Sequence, residues 1–223
     1  METFAGDFST LWTLNQRPPI EHLTWDWWWW LVMLDDDEHP MAGKQLMVLW
    51  STKENDHVHI NDVEWKPKGT PGFDDQGAIQ IDGMVCAWWF DGSVMHDEII
   101  AKVCDMVVLP SNHASWPGKE GQGGGAVVPL LEGDCSMGML PDRSQFWLNL
   151  DLSHKAVQSI QLKMTPWNPA MSTAREATAT YLGSLGYDIL RLHGTKVSGT
   201  IDGEDVNGTA YFQKVCVQAP SVP

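Results

Sequence analysis

The sequence predicts an all-β chain, an antiparallel β-barrel or closed β-sandwich around one core. Three observations carry this. About ten segments alternate with a period of two and are bounded by Gly, Pro, Asp or Asn. The dipeptides Asp82-Gly83, Asp91-Gly92 and Asp202-Gly203 mark tight hairpins. Strand and helix patterns do not alternate, which argues against a parallel sheet. At 223 residues the chain can bury a substantial core, and all-β folds of this size are often one domain. Residues 1–223 are therefore read as a single β domain.

Residues 1–24 show no period, and Arg17-Pro18-Pro19 marks an extended lead-in. The stretch Trp25-Asp26-Trp27-Trp28-Trp29-Trp30-Leu31-Val32-Met33-Leu34 follows. Its aromatic enrichment, and the turn-like run from Asp35 to Pro40 behind it, predict a strand over 25–34. Alternation puts Trp25, Trp27, Trp29, Leu31 and Met33 on one face, and Asp26, Trp28, Trp30, Val32 and Leu34 on the other. Both faces are apolar, so this strand is expected to be central, or one wall of a cavity. Asp26 is the exception: it stands at the wet end of the strand or is held among indoles.

Residues 44–53 read as a second strand carrying Trp50, and residues 57–65 as a third. Residues 66–76, rich in Pro, Gly and Asp, read as a loop. Asp82-Gly83 and Asp91-Gly92 bound a strand over 84–90 that holds Trp88 and Trp89. Strand pattern returns over 99–109. Residues 110–134 contain Gly121-Gln122-Gly123-Gly124-Gly125. No Lys-Ser/Thr and no helical pattern follow that run, so it is a flap or rim loop and not a phosphate loop. Phe146, Leu148, Leu150 and Leu152 alternate with polar residues, as do Ile160, Leu162 and Met164. The only helix candidate, 171–180, lacks an amphipathic stripe and reads equally as strand. Residues 187–201 and 206–217 form a last long hairpin around Asp202-Gly203.

Composition narrows the function classes. The formal net charge is −15, without a Lys/Arg cluster, which argues against nucleic acid and anionic lipid surfaces as partners. No apolar run reaches the roughly 18 residues of a membrane helix, and no stretch near the start has the order of a signal peptide. Cys86, Cys104, Cys135 and Cys216 are scattered without CxxC spacing. Free buried thiols in a reducing, cytoplasmic setting are expected. No nucleotide, flavin or metal signature occurs, so no cofactor is expected. His57 and His59 share a strand face at a spacing that can ligate zinc, but no third ligand accompanies them. No Gly-x-Ser-x-Gly elbow is present. Thirteen tryptophans remain, whose flat, face-negative rings suit apolar ligands and cations alike.

Trp25-Asp26-Trp27-Trp28 resembles the acid-Trp-Trp signature of the carotenoid 1,2-hydratase (hydroxyneurosporene synthase) and AttH-like lipocalin-fold superfamily. Gly194, Ser198-Gly199-Thr200-Ile201-Asp202-Gly203 and Gly208-Thr209-Ala210-Tyr211-Phe212 resemble the hairpin that closes that family's first lipocalin-like domain. Gln213 and Lys214 stand where the family often has an acid and a His. The resemblance covers the first half of the usual two-domain architecture. It implies a lipocalin-like barrel or sandwich with an apolar cavity and cofactor-free chemistry on isoprenoids or polyenes. It also implies a second lipocalin-like domain, or a homodimer, as partner.

Adding water to an unactivated C=C, or closing a ring across it, needs a strong acid and a surface that tolerates a carbocation. A carboxyl kept neutral by burial supplies the first, and indole faces the second. Asp26 is the candidate catalytic acid. Trp28, Trp30, Trp50, Trp88, Trp89 and Tyr211 are the candidate ligand-binding residues, and no metal ligand is assigned. Asp91, after Trp88-Trp89-Phe90, is a second acid candidate but reads first as a turn former. Three functions follow. One is acid-catalysed hydration or cyclisation of an isoprenoid alkene. The second is a lipocalin-type carrier or sensor that holds an apolar ligand unchanged. The third is a structural half-domain that works only with a partner domain.

Overall fold

The computed structural model describes residues 25–35, 43–53, 58–60, 63–65, 72–73, 75–76, 79–109, 126–129, 135–139, 144–167, 172–178 and 185–218. Among them are fourteen strands and no helix. In chain order they are β1 (Trp25–Leu34), β2 (Gln45–Lys53), β3 (Val58–Ile60), β4 (Val63–Trp65), β5 (Gly72–Phe73), β6 (Ile79–Phe90) and β7 (Met95–Leu109). Then follow β8 (Ala126–Pro129), β9 (Ser136–Met139), β10 (Phe146–His154), β11 (Val157–Pro166), β12 (Ser172–Thr178), β13 (Leu185–Ile201) and β14 (Glu204–Gln218).

The main sheet runs antiparallel in the order β1-β2-β6-β7-β8-β9-β10-β11, neighbours in sequence except that β2 pairs β6. β11 pairs β13 from Ile160↔Ile201 to Pro166↔Thr195, and β14 returns to β1 from Trp25↔Val217 to Leu34↔Gly208. With the β13–β14 hairpin the ring is complete, a closed up-and-down barrel of lipocalin-like architecture. β1 is paired along both of its edges, which removes there the usual template for edge-to-edge aggregation. β12 pairs the first half of β13, on the flank that β11 takes further along. β3 and β4 form a separate hairpin between β2 and β6.

The hairpin signals hold at two of three places. At Asp202-Gly203 both residues have positive φ, 51° and 84°, as a two-residue type I′ turn requires. Asp202 Oδ1 also accepts the N–H groups of Gln158 and Ser159 at 2.8 Å each, tying this turn to β11. At Asp91-Gly92 the carboxylate accepts the N–H groups of Ser93 and Val94 at 2.8 and 2.7 Å. At Asp82-Gly83 the expected turn does not form, and β6 runs straight through it. A Cβ on Gly83 would collide with the Met106 sulfur and lie 2.9 Å from the Ser51 carbonyl, so this glycine serves close strand packing.

Other boundaries also shift. The single strand expected over 57–65 is two, with Ile60 paired to Val63; Asn61 and Asp62 between them favour a reversal. The helix-or-strand segment is strand β12, held by seven registered pairs with β13. The short strands β8 and β9 lie in or just after the stretch read as irregular. Residues 110–125, with the glycine-rich run, fall outside the described residues. Among the described residues no helix is long and apolar enough to cross a membrane.

Candidate functional site

Register decides which side chains share the barrel interior. Lys214, Trp28, Trp50 and Val85 are matched across β14, β1, β2 and β6. The next inward layer is Phe212, Trp30, Val48 and Ala87, and the next is Ala210, Val32, Leu46 and Trp89. All twelve are buried, with Trp28, Trp30 and Trp50 showing no exposed surface and Trp89 only 4%. Each buried indole removes about 150–250 Å² from water. At about 25 cal/mol per Å² that amounts to roughly 4–6 kcal/mol each as an upper bound.

The opposite wall reaches this one through Phe146, the first residue of β10. Its ring centre lies 5.6 Å from that of Trp30 and 5.9 Å from that of Phe212, and Trp30 and Phe212 are 4.6 Å apart. The three rings close the barrel across its width. The layer of Lys214, Trp28 and Trp50 lies beyond them, toward the end where β1 begins and β14 finishes.

Two polar features break this apolar interior. The indole N–H groups of Trp30 and Trp50 are buried and have no hydrogen-bond partner among the described residues. Leaving such a donor unsatisfied costs about 1–3 kcal/mol. Lys214 is 1% exposed; its Nζ lies 4.4 Å from the Trp28 ring centre and donates to the Val215 carbonyl at 3.2 Å. The long hairpin pattern contains the signal for this lysine, because alternation places Lys214 with Phe212 and Ala210. A buried lysine on a largely apolar face needs partners for its charge, and the Trp28 ring and the Val215 carbonyl are two of them.

The barrel gathers Trp28, Trp30, Trp50 and Trp89 on its inner face and leaves two of the six ligand candidates outside. Trp88 is matched to Met47, Met47 to Leu31, and Leu31 to Tyr211, on the opposite face of each strand. Trp88 packs with Ala101 against a second cluster formed by Met84 and Cys86. Tyr211 meets Trp29 edge-on at 5.8 Å and His193 at 6.1 Å. Burial raises the pKa of its phenol, against an opposing effect of Arg191. Neighbouring residues of a strand point oppositely, so Trp88 and Trp89 cannot both line one cavity.

Asp26 is in register with Cys216 and Thr52, two residues before Trp28; its side chain lies outside the described residues, as do those of His57 and His59. Asp91 is not an acid donor. The N–H of Val94, the His96 ring and the N–H of Ser93 hold its pKa down at about 2, with His96 Nε2 2.8 Å from Oδ2. Burial, helped by the Glu98 charge, pushes the Cys86 thiol up to about 12, so it is an inert core group. Cys86 and Cys135 are both buried, and neither is in a disulfide among the described residues.

No family model matches the chain, and no curated protein matches it. A solved structure similar to it is a protein from Nitrosomonas europaea titled a "putative AttH", at 14% identity and a TM-score of 0.48. The match covers 98% of this chain and spans 58% of the length of that one.

Proposed function

We propose that this protein binds an apolar small molecule, of isoprenoid or polyene type, within the indole-lined interior of its barrel and holds it as a carrier or sensor. The observation that carries this reading is the pair of buried N–H groups on Trp30 and Trp50, which have no hydrogen-bond partner among the described residues, in a wall that is apolar apart from Lys214. A wall built only for packing gains nothing from donors it must leave unsatisfied. A ligand with an apolar body and one acceptor satisfies both demands.

Acid catalysis at Asp26 is the second reading. It is favoured by the register position two residues before Trp28, in a barrel whose indole faces tolerate positive charge. One experiment separates the two. Retinol is titrated into the full chain while Trp fluorescence is followed, and an isoprenoid alkene is incubated with the wild type and with Asp26→Asn. The carrier reading expects saturable quenching near one equivalent and no product from either protein. Product from the wild type alone assigns the acid to Asp26. A flat titration removes ligand binding inside the barrel.

A further inference from the structure

The wall between β7 and β10 has a seam. β8 pairs β7 only over Met106–Leu109, and β9 pairs β10 only over Phe146–Asn149. Beyond them, toward the end where β7 begins and β10 finishes, neither strand has a ladder partner on this side among the described residues. His96, the second residue of β7, and His154, the last of β10, meet across that seam, edge-on, with ring centres 5.7 Å apart. His96 is matched to the inward Trp89, and His154 to the buried Val157, so the pair stands at the mouth of the apolar interior. Hydrogen bonds fix the proton on each ring. Asp91 accepts the N–H groups of Ser93 and Val94 on Oδ1 and stays ionised, so His96 Nε2, 2.8 Å from Oδ2, is the donor. The neutral His96 ring therefore keeps its lone pair on Nδ1. His154 is the reverse: its Nδ1 accepts the Ala156 N–H at 3.1 Å, so its proton lies on Nε2. Neither His96 Nδ1 nor His154 Nε2 has a hydrogen-bond partner among the described residues. An oriented base and an N–H donor thus stand side by side with nothing between them to satisfy either.

We infer that His96 and His154 hydrolyse an uncharged ester whose apolar part lies within the barrel, with Asp91 positioning His96. The His154 Nε2–H donates to the ester carbonyl oxygen. His96 Nδ1 takes a proton from water as the water oxygen bonds to the carbonyl carbon, and Asp91 stabilises the imidazolium. The tetrahedral intermediate then breaks its bond to the alkoxy oxygen, His96 returns the proton to that oxygen, and an acid and an alcohol leave. No side-chain oxygen or sulfur is bonded to His96 Nδ1 among the described residues, so water is the nucleophile and no acyl-enzyme forms. One returned proton suffices for an alkoxide leaving group, which selects esters over amides. The Asp91 carboxylate and the net charge of −15 disfavour phosphate and sulfate esters. The reaction uses the apolar interior read above and goes beyond it, since its product is an apolar acid or alcohol of the kind that interior suits.

The test measures turnover of p-nitrophenyl hexanoate and p-nitrophenyl acetate by the full chain. Saturable hydrolysis is expected, with kcat/KM about tenfold higher for the hexanoate, whose tail reaches apolar surface. His96→Gln should lower kcat about 100-fold. His154→Phe, which removes the N–H donor, should lower it about tenfold. Asp91→Asn should also lower kcat about tenfold while leaving KM unchanged, which separates positioning from a loss of binding. His193→Gln, at an exposed histidine away from the seam, should change nothing. In labelled water the heavy oxygen should enter the acid, with no acylated chain in the mass spectrum. A wild-type rate no greater than that of the urea-unfolded chain overturns the inference, because any exposed imidazole then accounts for it. An equal loss in His193→Gln, an acylated chain, or equal kcat/KM on the two esters overturns it as well. Circular dichroism confirms that each variant is folded. Should His96→Gln fail to fold, undiminished kcat in both His154→Phe and Asp91→Asn sinks the site. Retinol titration reads the interior by itself, so a failed hydrolysis is told apart from a failed apolar site.

Discussion

The two walls of the barrel are both buried, yet they are built from different chemistry. Beyond Phe146, the inward residues along β10, β11 and β13 include Leu148, Leu150, Ile160, Leu162, Met164, Leu192 and Val197, each at most 1% exposed. The polar exception, Thr195, gives its hydroxyl to the Ala210 carbonyl at 3.3 Å. Along β14, β1, β2 and β6 the inward residues include Trp28, Trp30, Trp50, Trp89 and Lys214. Among its described residues the aliphatic wall leaves no buried side-chain donor without a partner. The aromatic wall buries more surface per residue but carries two unanswered donors. Burial on the aliphatic wall is therefore uncompromised, while on the aromatic wall it comes with a desolvation cost of about 1–3 kcal/mol for each open donor.

Breaking the aliphatic wall should have the largest effect. Leu148→Ala is expected to cost about 2–5 kcal/mol, because a fully buried leucine leaves a cavity that a closed barrel cannot collapse. Urea denaturation reads the loss, and retinol affinity should change little. A loss under about 1 kcal/mol would mean that this wall is loosely packed.

Outside the barrel, Cys86→Ser should cost about 1–3 kcal/mol, since it places a hydroxyl in the apolar cluster of Met84 and Cys86. In the wild type the thiol should resist alkylation at pH 8 and react only on unfolding, which mass spectrometry after labelling detects. Fast labelling of the folded protein would show that this cluster is open.

On the aromatic wall, Trp50→Phe sharpens the comparison. The loss of ring volume destabilises, while removal of the orphaned N–H relieves a penalty of about 1–3 kcal/mol. The two nearly cancel, so the expected change in unfolding free energy is under about 1 kcal/mol, far below that of Leu148→Ala. A loss as large as that of Leu148→Ala would show that the N–H is satisfied in solution and that the walls do not differ.

The smallest effect belongs to Asp91 and appears only in acid. Its pKa falls from 3.8 to about 2 on folding, so its ionised form stabilises the fold fully above pH 3.8 and progressively less as pH drops toward 2. The melting temperatures of wild type and Asp91→Asn should therefore converge across that window and keep a constant gap above it. A gap that widens on acidification would contradict the hydrogen-bonded turn.

Alternation in the sequence alone determined most of the strands. The limits of β1 and the inward leucines of β10 follow from side-chain period and turn chemistry, which are local properties of the chain. The same local logic misplaces a break at Asp82-Gly83, because a dipeptide cannot report that Met106 and Ser51 press against it from neighbouring strands. The site is less legible for a related reason. β1 is apolar on both faces, so period two sorts Trp28 and Trp30 from Trp27 and Trp29 without saying which pair is inside. Only closure of the ring, through β11 with β13 and β14 with β1, turns Trp28, Trp30 and Trp50 inward and Trp88 and Tyr211 outward. The placement of Lys214 beside Trp28 depends on the same closure, because those residues are far apart in sequence and meet only across a strand pair. Sequence carries the pattern of each strand; tertiary pairing alone decides which of two apolar faces becomes the interior.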